Sequence, residues 1–337
     1  MPARNLGLRQ EPTTGSAMRQ PAGRIGITGG SGFIGSRVAD RMISAGYDVV
    51  VLDLRPPPRT DLAYRYVDVL DLGAVVQATR DVDTVFHLAG MSDASDALAR
   101  PVSAVQVNVA GTANVFEASR RNEVRRTVLA STAWVYAGAH GDAPIDEEAP
   151  FHLPSAGHIY TSSKITEELI GHNYCELYGT PFTILRYGDV YGPGMSENFV
   201  IPRFVRQALE GETNTVNADG SQFRNYVYVD DLADAHLAAL SGDAENEVFN
   251  LKGPEPITIR RIAEEVRGLL GAPFTIEGGA LAPGDYAGRV ISGEKAKRVL
   301  GWEPQTPFTE GLRRYVDWYT RTAALAARSG AGDDATG

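Results

Sequence analysis

The stretch Arg24-Ile25-Gly26-Ile27-Thr28-Gly29-Gly30-Ser31-Gly32-Phe33-Ile34-Gly35 constrains this chain more than any other. A short apolar run bounded by glycines, then helix-permitting sequence from Ser36 to Ala45, predicts a buried strand that turns tightly into a helix. The first N–H groups of such a helix lack intrahelical partners, and with the helix dipole they favour an anion such as a pyrophosphate. Gly29 permits the tight turn, Gly32 leaves bare backbone for a ligand to lie against, and Gly35 lets helix and strand approach closely. The spacing reads as Gly30-x-Gly32-x-x-Gly35 or as Gly29-x-x-Gly32-x-x-Gly35, and either alone is also met by a glycine turn with no ligand. Its context adds weight. Tyr47 to Asp53 is a second apolar strand ending in an acid 24 positions after Gly29, where a carboxylate accepts both ribose hydroxyls of a dinucleotide.

Strands and helices then alternate. Tyr64 to Val67, Val82 to Ala89 and Thr127 to Ala130 read as strands, the last with Ser131-Thr132 at its end. Val75 to Arg80 reads as a helical turn, and Pro101 to Arg121, containing Asn108 and Gly111, as one long amphipathic helix. This order predicts an α/β fold of the Rossmann type, a doubly wound parallel sheet whose ligands lie beyond the C-terminal strand ends. Asp53, Asp68, Ala89 and Thr132 all fall there. After residue 190 helices, short strands and Pro/Gly turns predict a smaller C-terminal α/β lobe that closes over a substrate. The expected boundaries are a flexible tail at 1–22, a dinucleotide-binding domain at 23–190 with 220–250 returning to it, a substrate lobe at 191–219 and 251–322, and a second tail at 323–337.

Composition excludes several classes of function. With 337 residues, 43% apolar, a sizeable core can form, and a net charge of -10 argues against a nucleic-acid partner. Cys175 is the single cysteine, so no internal disulfide forms, and packing is its expected role. Residues 1–22 hold no apolar run of signal-peptide or membrane length, so a cytoplasmic location without membrane attachment is the expectation. His87, His140, His152, His158, His172 and His236 show no ligand spacing, and no metal is expected; His152 and His158 border the region described next. Asp230-Asp231 reads as a helix N-cap.

That region is His158-Ile159-Tyr160-Thr161-Ser162-Ser163-Lys164, which opens a helix reaching about Tyr178. Tyr160 and Lys164, four apart, share one helix face. An ammonium beside a phenol favours the phenolate by roughly one to three units, which brings it towards use as a base. Thr132, at a strand end, is placed to donate a hydrogen bond to the same substrate oxygen. The bare spacing is also that of an exposed Tyr/Lys pair without a role.

Taken together, these motifs resemble a family. The glycine turn, His87-Leu88-Ala89, Asn108-x-x-Gly111-Thr112, Ser131-Thr132-x-x-Val135-Tyr136, Tyr160-x-x-x-Lys164 and Leu185-Arg186-Tyr187-x-x-Val190-Tyr191-Gly192-Pro193 occur in order. Asp219-Gly220-Ser221-Gln222-x-Arg224 and Leu300-Gly301-Trp302-x-Pro304 follow. From about residue 24 to 322 the chain is similar to the extended short-chain dehydrogenase/reductases, in the NAD-dependent epimerase/dehydratase group of the UDP-galactose 4-epimerase type.

The resemblance implies tightly held NAD. Gly29, Gly32 and Gly35 would seat the pyrophosphate, Asp53 the adenosine ribose, Asp68 and Val69 the adenine, and Ala89 the nicotinamide side, with Phe33, Ile34, Leu88 and Asn108 as further cofactor contacts. Lys164 would hold the nicotinamide ribose, Tyr160 would transfer the proton, and Thr132 would be its partner. Arg55 invites an NADP reading, but Asp53 repels a 2′-phosphate, so NAD is preferred. Trp134, Asp189, Arg224 and Arg289 complete the expected substrate contacts, Trp134 having core packing as its alternative. Dehydratases of the group carry Asp-Glu after the catalytic Thr and decarboxylases Ser-Glu, where this chain has Ala133-Trp134. The implied activity is 4-epimerisation of a nucleoside-diphosphate hexose through a 4-keto intermediate, with an NAD-dependent dehydrogenase or reductase of a free sugar, polyol or other small alcohol as the alternative. A non-enzymatic NAD-binding regulator is disfavoured by the intact Tyr160, Lys164 and Thr132. Asp189, Asn217 and Ala282 depart from the group's usual Asn, aromatic and Arg, while Arg289, Arg203 and Arg206 offer compensating charge. Helices 101–121 and 158–178 correspond to the group's dimer interface, so a homodimer is expected.

Overall fold

The computed structural model describes residues 23–139, 143–153, 157–277 and 287–333, with side chains as far as residue 323. The expected N-terminal tail, His140, Ala282 and the last four residues lie outside them. Strand β1 (Ile25–Thr28) enters the glycine turn, and helix α1 (Phe33–Ser44) leaves it. Strand β2 (Val49–Asp53), β3 (Ala63–Tyr66), helix α2 (Leu72–Ala78), β4 (Thr84–His87) and helices α3 (Ala94–Ala99), α4 (Pro101–Val105) and α5 (Gly111–Arg121) follow. Then come β5 (Arg126–Thr132), α6 (Ile159–Tyr178) and β6 (Phe182–Tyr187).

These strands and Glu247–Leu251 form a seven-stranded sheet in the order 247–251, β6, β5, β4, β1, β2, β3, every pairing parallel. Both faces are covered, which is why β2 reads as the unbroken apolar run Val49-Val50-Val51-Leu52 rather than an alternating one. Helix α1 packs against the helix Val229–Ala238 on one face, and α2 against α5 on the other. The strand order reverses beside β1, so a crevice opens at the C-terminal ends of β1 and β4, the usual ligand position in such sheets. The C-terminal part has its own core, in which Tyr191, Phe204, Val216, Ile262, Phe308 and Tyr315 pack together.

Three local expectations are corrected. The helix expected over 101–121 is interrupted by a π-helical turn at Gln106–Ala110, one wide turn that places Asn108 in the interior. Asp230-Asp231 does not cap its helix, whose N-cap is Tyr228 without a side-chain bond. Asp231 instead accepts from the Gln305 N–H at 3.2 Å, the Thr306 N–H at 2.8 Å and the Thr306 hydroxyl at 3.0 Å, pinning the approach to the last helix. That helix runs Phe308–Asp333, past Ala323, where the sequence places the start of a tail. Cys175 packs as expected, half-buried against the cluster of Phe116, Leu129, Phe182 and Ile184, with its thiol donating to Asn246 Oδ1 at 3.3 Å.

Candidate active site

The glycine turn is built for a phosphate. Gly29 adopts φ +69°, and a Cβ there would lie 2.7 Å from Ala89 N, so only glycine fits. At Gly35 a Cβ would meet Gly29 O at 2.2 Å, because α1 begins directly on the turn. Gly32 is the N-cap, with no side-chain bond to the helix, and the first intrahelical bond runs from Ser36 N–H to Gly32 O at 3.0 Å. The N–H groups of Phe33, Ile34 and Gly35 are therefore left for a ligand.

Asp53 closes the other side of the crevice. Its Oδ2 accepts from Ser31 N–H at 3.0 Å and its Oδ1 from Arg55 N–H at 3.1 Å, which fixes a carboxylate whose remaining lone pairs suit a vicinal diol. Asp68 receives Leu70 N–H at 2.9 Å, and the carbonyl of buried Val69 receives Asn114 Nδ2 at 2.9 Å, both in the segment just after β3. Leu88 and Ala89 are half-buried after β4, where Ala89 N–H donates to Thr28 Oγ1 at 3.3 Å. A bare helix start, bare backbone and a fixed acid thus suit NAD: the three N–H groups would hold its pyrophosphate and Asp53 its adenosine ribose.

Asn108, an expected cofactor contact, is 0% exposed. Its Oδ1 accepts from Met91 N–H at 2.7 Å and its Nδ2 donates to Ser163 Oγ at 2.9 Å, tying the loop after β4 to α6. The wide turn at 106–110 turns it inward.

Helix α6 carries the chemistry. His158 caps it by accepting Thr161 N–H at 3.3 Å, and Gly179, at φ 66°, ends it in a left-handed turn. Tyr160 is half-buried at the first turn, with Thr132 at the end of β5 close to its hydroxyl. Burial raises its pKa above the ordinary phenol value, and the Lys164 ammonium and nearby Thr132 offset only part of that rise. Lys164 is nearly sealed and donates to Ala130 O at 3.0 Å and Glu167 Oε2 at 2.9 Å. Burial opposes its charge, but the Glu167 carboxylate and Tyr160 more than offset that, so its pKa rises and it stays an ammonium. The structure brings Thr132, Tyr160 and Lys164 to one place.

A side-chain wall stands next to them. Trp134 follows Thr132, and its N–H groups donate to Thr132 Oγ1 at 3.2 Å and, from the indole, to Asp189 Oδ1 at 3.4 Å. Its ring centroid lies 5.2 Å from that of His158, and His158 stacks on Tyr160 at 6.0 Å. The Arg224 guanidinium lies over the Trp134 ring, 5.2 Å from its centroid. Trp134, Asp189 and Arg224 therefore converge beside Tyr160. Arg289 presents its carbonyl to Asn225 Nδ2 at 2.7 Å and runs alongside the same segment.

Beneath lies a polar layer that no sequence argument found. Glu168 Oε1 accepts the Ser131 hydroxyl at 2.5 Å and pairs with Arg186, whose Nη2 donates to Oε2 at 2.7 Å. Thr28 Oγ1, His87 and Thr112 Oγ1 form a chain, at 2.7 Å to His87 Nδ1 and 3.0 Å from His87 Nε2. Burial pushes His87 down to about 3, so the ring stays neutral. Among the described residues no group of three His, Cys, Asp or Glu side chains stands ready for a metal, and no helix is long and apolar enough to cross a membrane.

A parallel sheet with a phosphate seat, a fixed acid and a Tyr/Lys/Thr cluster defines an NAD-dependent enzyme. The sequence pattern of the NAD dependent epimerase/dehydratase family matches residues 25–251, and the chain belongs to that family. The UDP-glucuronate 4-epimerase of Thermodesulfobacterium geofontis shares 30% identity with it over 87% of this chain and 94% of its own. The UDP-glucuronic acid decarboxylase 1 of Danio rerio shares 30% over 88% and 73%. The structure of the UDP-glucose 4-epimerase of Thermus thermophilus in complex with NAD superimposes with a TM-score of 0.80 at 30% identity, covering 88% and 99% of the two chains. NAD is accordingly the cofactor of this family's fold.

Proposed function

We propose that the protein interconverts a nucleoside-diphosphate hexose and its C4 epimer through a transient 4-keto sugar. The observation that carries this reading is the pairing of Tyr160, Lys164 and Thr132 with Ala133 and Trp134, where an elimination or decarboxylation would use an acid directly after Thr132. Asp189 approaches from another segment, and its Oδ1 is engaged by the Trp134 indole.

Tyr160, as phenolate, takes the proton of the sugar hydroxyl, while Thr132 donates to the same oxygen and holds it in reach. Lys164 supplies the positive charge that makes the phenolate accessible. NAD, held by the Phe33, Ile34 and Gly35 N–H groups and by Asp53, would supply a reversible hydride acceptor at this carbon. Trp134 and His158 offer flat faces on which a sugar can turn over, and Arg224 gives the diphosphate a cation. A homodimer through α4 and α6 belongs to the same reading, since Val102, Leu169 and Leu177 are 68%, 53% and 67% exposed there. Sedimentation at a monomer's mass would refute it.

The test incubates NAD-bound protein with UDP-, dTDP- and GDP-sugars beside free sugars and polyols, following epimers by NMR and NADH by absorbance. A C4 epimer without net NADH supports the proposal. Steady NADH formation from a free sugar or polyol replaces it with a dehydrogenase.

A further inference from the structure

Glu167 has no part in the reaction as written, yet it sits directly under it. It lies one turn beyond Lys164 on α6, 1% exposed, and its Oε2 receives the Lys164 ammonium at 2.9 Å. Its Oε1 is sealed from water with no donor aligned on it among the described residues. Thr112 stands beside the carboxylate, but its hydroxyl faces His87 Nε2 at 3.0 Å. A buried ion pair so incompletely satisfied is a poor stabilising device, because desolvation of both charges consumes what the pairing returns. An apolar side chain would serve packing better. What the carboxylate does change is the charge that Lys164 presents to Tyr160.

Among the described residues the ionisable groups facing it are few. From α6 they are Lys164, Glu168 and, one turn up, Tyr160. From β4 comes His87, neutral by burial, and from β6 Arg186, which is taken up by Glu168. Of these, Lys164 is the cation that Glu167 contacts directly.

We propose that Glu167 is a positioning residue that sets the acidity of Tyr160 through Lys164: ionised, it cancels part of the ammonium's field and holds the phenol protonated, and protonated, it releases that field and favours the phenolate. Burial pushes the Glu167 carboxyl up to about 7 against the pull of Lys164, so its charge changes within the working pH range. Gain of a proton on Glu167 and loss of one from Tyr160 are then coupled, and the net charge beneath the reacting carbon stays constant. This rests on Tyr160 and Lys164 being the proton-transfer pair of the proposed reaction.

The test reads ionisation without turnover. NAD-bound protein carrying 13Cζ-labelled tyrosine is titrated by NMR, the Tyr160 resonance being assigned by its absence in Tyr160→Phe. In Glu167→Gln the Tyr160 midpoint is expected to fall by about one unit, the low end of the effect of a charge at close range, and Glu167→Asp is expected to restore part of it. In the unaltered protein the same resonance should show a smaller inflection near pH 7 as Glu167 ionises, and this inflection should be missing from Glu167→Gln. A midpoint that does not move, with a lower unfolding temperature as the only change, would make Glu167 structural and overturn the proposal. Should Glu167→Gln fail to fold, absence of the smaller inflection in the unaltered protein overturns it instead. A moved midpoint with no epimerised sugar retires the substrate but keeps Glu167, while an unmoved midpoint with epimerised sugar does the reverse.

Discussion

Removing the carboxylate of Glu168 should cost more than removing any surface charge, and the structure gives the size. Glu168 and Arg186 are 1% and 5% exposed. The carboxylate accepts from Arg186 Nε at 3.0 Å and Nη2 at 2.7 Å and from the Ser131 hydroxyl at 2.5 Å. Arg186 otherwise keeps Tyr136 Oη at 2.5 Å and Glu147 O at 3.2 Å, with its guanidinium over the Tyr136 and Phe151 rings. Burial alone would lower its pKa, and Glu168 more than reverses that, so the charge persists. Glu168→Ala leaves this cation buried without an anion, a loss of about 3–5 kcal/mol. At an unfolding entropy of ~2.1 cal/mol/K per residue, a chain of 337 residues loses about 4–7 °C in melting temperature. Replacing both partners by apolar groups, as in Glu168→Leu with Arg186→Met, removes charge and counter-charge together and should recover most of the loss. Calorimetry on the two single variants and the double variant checks this, with an expected coupling of roughly 2 kcal/mol or more. Additivity within about 0.5 kcal/mol would refute the claim that the two charges depend on each other.

Tyr160→Phe should lower turnover at least about a hundredfold, about 2.7 kcal/mol of barrier, while NAD remains bound, because proton transfer alone is removed; unaltered turnover in a coupled assay would dismiss Tyr160 as the base. Gly35→Ala places a Cβ 2.2 Å from Gly29 O, so the variant should lose its co-purifying NAD, and full occupancy measured on the denatured protein would contradict the seat described. His236 accepts Tyr187 Oη at 2.7 Å and is pushed down to about 4 by burial, so the unfolded chain takes its proton first, near pH 6.5, and stability falls as the pH drops from there towards 4. At pH 5 that is roughly 2 kcal/mol, which His236→Gln should not lose; urea curves of equal pH slope would refute it. Trp134→Ala removes the face under Arg224 and should raise KM about ten- to a hundredfold, whereas Trp134→Phe keeps the face and should change it only a few-fold; equal effects would show that the ring is not the binding surface.

What could be read in the sequence was what the backbone demands. A strand turning at once into a helix leaves so little room at Gly29 and Gly35 that the glycines announce the geometry, and Asp53 is the acid at the next strand end. Tyr160 and Lys164 were legible because four residues make one helix face, with Thr132 added by its place at a strand end. The inward turn of Asn108 was not legible, because it rests on one wide turn at 106–110 and no apolar periodicity records a single π turn. Glu167 and Glu168 left a signal that went unread: two acids three and four positions after Lys164 share its buried stripe, where charges need partners. Arg186, which claims Glu168, comes from a distant segment, so spacing could not supply it. Asp231 misled for the same reason, since a carboxylate at a helix start reads as a cap until residues 305–306 arrive to claim it.

The two halves of the site are made of different material, and that bears on how such a chain acquires its reaction. The cofactor seat is mostly backbone: three open N–H groups, two further N–H groups that fix Asp53, and glycines that no side chain can replace. The wall beside Tyr160 is side chains: Trp134, His158, Asp189 and Arg224, of which His158 also caps α6. Substitution in the wall therefore leaves hydride chemistry intact while changing what is bound and which proton moves. An epimerase and a decarboxylase stand at the same 30% identity to this chain, as that division would produce. Overall identity then says little about the reaction, and the weight falls on the few positions next to Thr132. Ala133 brings no proton donor there, and Trp134 uses its indole N–H on Asp189, so neither of the two residues directly after Thr132 is an acid.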